Sequence, residues 1–223
     1  NRPLSSYFKQ LFAQVTNPPL DYIREDLVAS LECRLGEQRN LLSESPEHAR
    51  QLVLDSPFLT DERTAAIKDL DGPFSVGTVD ITFDSDTTRQ SAVEALRETV
   101  AANADERDVL VLSDRDAGED RLPVPSLLAV SAVHHHLVRT GQRNRVGLIV
   151  ESGDPRTVHQ MATLVGYGAG AVNPYLAFET IEDVVAGPDG ADVNEAIAAY
   201  LGALEDGLQK TMAKMGISTV ESY

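Results

Sequence analysis

Residues 122–181 constrain this chain more than any other stretch. Pro123 and Pro125 introduce an apolar helical segment that runs through Leu137. Residues 146–151 then read as a short buried strand, because a run of branched apolar residues is bounded by turn signals. Ser152-Gly153-Asp154-Pro155 turns the chain into a second helix, and another short strand follows near residues 169–173. A helix–strand–helix–strand unit is the building block of a parallel sheet.

Upstream residues extend the same pattern. Residues 76–83 alternate as a strand, 87–103 place Val93, Leu96 and Val100 on one helical face, and 109–112 form a short buried strand ending in Ser113-Asp114-Arg115. Four strands alternating with helices predict an α/β fold of repeated βα units with parallel strands. Spacing alone leaves an open sheet and part of a barrel both possible. Before this core, residues 3–15 predict a helix on Leu4, Phe8, Leu11 and Phe12, ended by Pro18 and Pro19, which lack amide donors. Asp21 is placed to cap a second helix over residues 22–31. Residues 36–73 read as irregular, with short helices near Pro46 and over 61–70, packed peripherally on the sheet. Downstream, residues 175–214 read as helical with a break at Gly187-Pro188-Asp189-Gly190. The expected organisation is an N-terminal helical and extended segment (1–72), a parallel βα core (73–186) and a C-terminal helix (187–223).

Composition narrows the function classes. A formal charge of −16, spread along the chain, disfavours nucleic acid and anionic membrane as partners. Lys9, Lys68, Lys210 and Lys214 are the only lysines, so the basic residues are mostly arginine. That balance fits either a solvated acidic surface or a salt-adapted host. No apolar run is long enough to span a bilayer, and the first residues lack a secretory h-region. A cytoplasmic protein is the expectation, either processed or cut from something longer, since no initiator Met is present. Cys33 is the only cysteine, which excludes an internal disulfide and any cysteine-built zinc or iron–sulfur site within this chain.

Ligands in parallel α/β folds gather at the C-terminal ends of strands. Those ends carry Ser113, Asp114 and Arg115; Glu151, Ser152 and Asp154; and Asn173 with Tyr175. Asp114, Arg115, Glu151, Ser152 and Asn173 are therefore ligand candidates. The alternative is that they cap helices and pair arginine with carboxylate across loops. No set of nucleophile, base and oxyanion donors can be assembled, and neither a Walker A pattern nor Gly-x-Ser-x-Gly is present. His134-His135-His136 cannot share one metal, because consecutive helical residues point about 100° apart. His134 falls on the row of Leu127, Val130 and Leu137 and reads as a packed histidine; no metal site is expected. Gly166, Gly168 and Gly170 follow a helix and precede a strand, the reverse of a phosphate loop, so they read as helix termination.

Several longer strings are specific. Arg2-Pro3-Leu4-Ser5, Phe12-Ala13-Gln14-Val15-Thr16-Asn17-Pro18-Pro19, Asp21 with Ile23-Arg24-Glu25, Ala132-Val133-His134-His135-His136-Leu137 and Asn173-Pro174-Tyr175-Leu176-Ala177-Phe178-Glu179-Thr180 together resemble the central domain of the glutamate synthase large (alpha) subunit, from the ferredoxin- or NADPH-dependent family. Lys214-Met215-Gly216-Ile217-Ser218-Thr219 resembles that family's join to its flavin-binding domain. The likeness runs nearly end to end, with 36–109 and 187–203 matching less distinctly.

The resemblance implies part of a larger oxidoreductase. Its partners would be a glutamine amidotransferase domain and an FMN-binding synthase domain of the same enzyme. Ammonia released from glutamine would pass between them to 2-oxoglutarate, with FMN and a 3Fe-4S cluster carrying electrons. The resemblance implies no cofactor in the central domain itself, and a fold similar to a degenerate, incomplete TIM-like (β/α) barrel. It places Thr16, Asn17 and Pro18 near the ammonia passage and Met215, Gly216, Ile217 and Ser218 near the synthase boundary. Residue 1 is Asn rather than a nucleophilic cysteine, so this chain alone is not expected to form glutamate. The competing readings are a free-standing α/β module or split-enzyme subunit, and an independent enzyme using the strand ends.

Overall fold

The computed structural model describes residues 2–9, 19–21, 23–70, 72, 74–185 and 192–223. Helix α1 (Glu25–Val28) is followed by strands β1 (Cys33–Leu35) and β2 (Leu52–Leu54), then helix α2 (Asp61–Lys68). Strands β3 (Val76–Asp80) and β4 (Thr82–Asp84) lead to helix α3 (Arg89–Asn103), β5 (Val109–Ser113) and β6 (Arg121–Pro123). Helix α4 (Ser126–Thr140), β7 (Gly147–Glu151), α5 (Val158–Gly166) and β8 (Ala171–Asn173) complete the core, and α6 (Tyr175–Val185) and α7 (Val193–Met215) close the chain.

The main sheet is parallel, in the order β3-β5-β7-β8. Sheet neighbours are also sequence neighbours, so every crossover steps in the same direction. Right-handed crossovers then place α3, α4 and α5 on one face. That is the winding of a (β/α) barrel rather than of a doubly wound sheet. The barrel is incomplete. On the β8 edge, Phe58 forms a single parallel bridge with Val172, flanked by bonds from Leu59 N to Val172 O and from Val172 N to Pro57 O.

Strands covered on both faces need apolar residues at every position. All five residues of β5 and all five of β7 are buried. The face opposite α3–α5 is covered by residues 30–70. A Cβ on Gly147 would stand 3.0 Å from the Leu35 Cβ, and Lys68 reaches Glu151 on the same face of β7. Leu35, Leu54, Phe58, Leu59 and Ile67 join the single core. This segment is therefore a third layer rather than a peripheral addition. Its signal, alternate burial at Leu31, Cys33 and Leu35, has period two and is only three residues deep.

Local chemistry sets the helix ends. Thr88 caps α3 by accepting from Ser91 N, and Thr157 forms a reciprocal capping box with Gln160 on α5. Gly141 ends α4 at φ 74°.

Three further expectations need correction. The helix over residues 3–15 is, in its described part, a 3-10 turn at Leu4–Tyr7. Phe8 is extended and packs edge-to-face on Tyr167, while the Ser5 carbonyl is held by His159 Nε2 at 2.9 Å. The helix over 22–31 shrinks to one turn, because Ala29 extends and Ser30 N binds the Ser218 carbonyl. Asp21 does satisfy the Ile23 and Arg24 amides, both at 3.0 Å. The strand over 76–83 divides at Ile81. There Asp80 Oδ1 accepts from Thr82 N, and β4 leaves the parallel sheet to pair antiparallel with β6.

Candidate functional site

The ends of β5, β7 and β8 bring the predicted polar residues together. Glu151 is the centre, with a side chain 4% exposed. Its Oε2 accepts from Lys68 Nζ at 2.6 Å and Ser113 Oγ at 2.5 Å; its Oε1 accepts from Arg115 Nε at 2.9 Å. Arg115 also pairs with Asp61 at 2.9 Å and with Glu179 at 3.6 Å. Its guanidinium lies 4.2 Å above the Tyr175 ring, a cation–π stack. Asp61 Oδ1 in turn accepts from Asn173 Nδ2 at 2.8 Å, and the same amide donates to the Leu59 carbonyl at 3.0 Å.

Parallel register explains this convergence. Ser113, Glu151 and Asn173 are the last residues of their strands, with Ser113 opposite Glu151 and Glu151 opposite Asn173. One residue further on, side chains point to the helix-bearing face. There Asp114 accepts from Ser152 Oγ at 2.5 Å and Gly153 N at 3.0 Å. Asp154 caps α4, its Oδ2 accepting from Ser126 N at 2.8 Å.

The two carboxylates respond differently to burial. Burial alone would raise Glu151, but Lys68, Ser113 and Arg115 outweigh it and hold this carboxyl below its ordinary value. Asp114 has only neutral hydrogen-bond donors. Burial pushes its carboxyl up, against the opposing bonds from Ser152, Gly153 and Tyr175. The Tyr175 phenol is raised by burial and by Asp114 beside it. Ion pairing thus saturates Glu151, and hydrogen bonding saturates Asp114. Among the described residues, the one buried side-chain polar atom without a partner is Asn173 Oδ1.

The remaining candidates lie elsewhere. Thr16, Asn17 and Pro18 fall outside the described residues. Beyond them, Leu20 N is anchored to the Ala213 carbonyl of α7 at 2.8 Å. Met215 ends α7, and Gly216 turns the chain at φ 72°. Ile217 N then returns to the Met212 carbonyl, and Ser218 O accepts from Ser30 N. These bonds tie residues 215–218 to α7 and to the segment before β1, away from the strand-end cluster. His134 is held as a packed histidine, its Nδ1 accepting from Arg143 Nε at 3.0 Å. No group of three metal-capable side chains occurs among the described residues. Sequence reasoning missed Lys68 and Asp61, which reach the cluster from α2 across 83 and 112 residues. The scarcity of lysine was the one available hint for Lys68.

Known proteins match the chain from end to end. The sequence profile described as the glutamate synthase central domain covers residues 1–223. The NADPH glutamate synthase large chain of Bacillus subtilis is 43% identical over 99% of this chain, which spans 14% of that protein. The NADH enzyme of Schizosaccharomyces pombe is 43% identical over 100% of the chain and 11% of its own length. A ferredoxin-dependent enzyme of Synechocystis is 41% identical over 100% and 15% respectively. Among solved structures, the flavin-binding domain of baker's yeast flavocytochrome b2 aligns with a TM-score of 0.46 at 17% identity, covering 62% of this chain and 37% of that one. The chain therefore belongs to the glutamate synthase central domain family, and spans about one-seventh or less of the relatives it matches.

Proposed function

We propose that this chain is the scaffold between the glutamine amidotransferase domain and the FMN-binding synthase domain of a cytoplasmic glutamate synthase. In that reading it walls the ammonia passage and carries no chemical step itself. The end-to-end family match carries the reading. The polar cluster at the strand ends supports it, because the buried carboxylates of Glu151 and Asp114 are already engaged by side chains of the same chain. FMN and the 3Fe-4S cluster belong to the rest of the polypeptide. The cluster needs several cysteine thiolates, and this sequence supplies one. That one, Cys33, is buried, and its thiol is pushed up to about 12 by burial and by Glu221 and Glu32.

Thr16, Asn17 and Pro18 are the proposed passage residues. Neutral polar groups suit ammonia, since a carboxylate would hold it as ammonium. Asn17→Ala in the full-length enzyme is expected to uncouple the two half-reactions, so that glutamine hydrolysis outruns the amination of 2-oxoglutarate and the glutamate formed per glutamine consumed falls from two towards one. The stoichiometry of glutamine consumed to glutamate formed reads this directly. A ratio equal to that of the unmodified enzyme would remove Asn17 from the passage.

A further inference from the structure

The opposite end of the sheet holds a cation with different surroundings. A cleft of about 240 Å³ opens below β7 and β8, lined by Arg34, Gln38, His134, Arg143, Asn144 and a backbone wall of glycines. The wall is glycine because side chains press against it. A Cβ on Gly170 would meet Leu35 Cδ2 at 2.2 Å, and one on Gly168 would meet His134 Nδ1 at 2.3 Å.

Arg143 is half-buried here, yet no carboxylate of the described residues lies within ion-pair distance of it, whereas Arg24, Arg50, Arg115, Arg121 and Arg145 all have one. Its Nε donates to His134 Nδ1, one terminal nitrogen to the Val146 carbonyl at 2.8 Å and the other to the Gly168 carbonyl at 3.0 Å. A guanidinium carries five N–H bonds, so these three leave two for another acceptor. Arg34 spends Nε and one terminal nitrogen on Glu32 and keeps the other terminal nitrogen. Asn144 and Gln38 also line the cleft. Arg34 and Arg143 both line the cleft; Glu221 is a carboxylate of the described lining, and Glu32 is already engaged by Arg34.

We propose that this cleft binds a small oxyanion, a phosphate or a carboxylate, on Arg143, with Arg34 as the second cation and the amides of Asn144 and Gln38 completing the shell. Guanidinium forks suit both chemistries, since each offers paired oxygens. The site does not depend on the proposed passage, from which it differs in residues and chemistry.

Calorimetric titration of the full-length polypeptide tests it, at constant ionic strength, with inorganic phosphate and separately with succinate as probes. Saturable binding of at least one probe is expected in the millimolar range or tighter. Arg143→Gln should weaken it by about tenfold or more, the loss of a charge-assisted pair. Arg143 also supports two carbonyls, so its loss weakens the local backbone as well, and Arg34→Gln provides the independent measurement. That side chain is 59% exposed, and its loss should weaken binding severalfold with the melting temperature unchanged. Phosphate saturating alone identifies a phosphate site; succinate saturating alone identifies a carboxylate site. Absence of saturable heat with both probes overturns the proposal. So does an affinity equal to that of the unmodified protein in both variants, which would place the anion elsewhere.

Discussion

The two ends of the parallel sheet solve the same problem differently. At the C-terminal end, the buried Glu151 carboxylate is neutralised by Lys68 and Arg115, and each of these cations comes from a different part of the chain. At the N-terminal end, the Arg143 guanidinium is held by a histidine and two carbonyls, all formally neutral. A buried charge pair is unforgiving of deletion, since the surviving partner is left uncompensated. Dipole solvation demands close backbone approach, and glycine supplies it. The first end should therefore be sensitive to loss of a charge, and the second to gain of a methyl group.

The largest expected effect is at Glu151. Glu151→Ala takes from Lys68 its carboxylate and leaves Arg115 with Asp61 and Glu179 alone, and should destabilise the domain by about 3 kcal/mol, the lower end for a broken buried pair. Both cations are partly exposed, at 28% and 36%, so rehydration limits the loss. The urea midpoint of the full-length protein, followed by a signal from this domain, measures it. A shift within the range of ordinary surface substitutions would mean that the network is decorative and that the two ends do not differ in kind.

Gly168→Ala probes the other end. Its φ of 110° strains any L-residue, and the added carbon would lie 2.3 Å from His134 Nδ1. A cost of about 2 kcal/mol or more is expected. Gly170→Ala should cost less, because the atom it meets, Leu35 Cδ2, is the tip of a flexible side chain. Equal melting temperatures for the two variants would break the argument that backbone conformation matters at this end.

These two ends also separate what could be read in the sequence from what could not. The strands of the core and the helices between them follow from local periodicity and turn residues, and β5, β7, α3 and α4 lie within a few residues of expectation. Residues 113, 114, 151, 152 and 173 were identifiable as a group because parallel strands end together. What they contact was not, since Lys68 and Asp61 arrive from a segment whose strands are three residues long, too short for their alternation to be read. The glycines after α5 were correctly read as a helix ending, while the arginine that their geometry admits went unnoticed. Arg143 lies 9 residues from His134 and 25 from Gly168, separations to which no motif corresponds.

Acid should distinguish the ends as well. His134 is pushed below its ordinary value, first by burial and then by the neighbouring Arg143 and His135 charges. The folded state therefore favours neutral imidazole, and binds its proton less readily than the unfolded chain. Stability from this site is fully present above the unfolded value of about 6.5 and is lost as pH falls below it toward the depressed folded value. His134→Gln keeps an acceptor for Arg143 and removes the titration. The difference in melting temperature between pH 7.5 and 5.5 should shrink in this variant. An unchanged difference would place the acid sensitivity elsewhere.

The smallest effect concerns salt. Exposed pairs such as Arg145–Asp105, with side chains 55% and 50% exposed, contribute at most about 1 kcal/mol each and weaken as ions screen them. Repulsion within a net charge of −16 is screened as well, and opposes folding when it is not. The repulsion is summed over the whole surface and is removed as ions shorten the screening length, whereas the pairs are local and few. The melting temperature should therefore rise modestly with KCl, as the acidic, lysine-poor composition leads one to expect of a salt-adapted protein. Glu151 sits behind a side-chain exposure of 4%, where mobile ions do not reach. The destabilisation of Glu151→Ala should accordingly stay constant across the same KCl series. A cost that fell with salt would show water and ions entering the strand-end network, and would make it an exposed cluster like the others. A melting temperature that was highest in low salt would instead show that the surface pairs outweigh the net repulsion, and would end the salt-adapted reading.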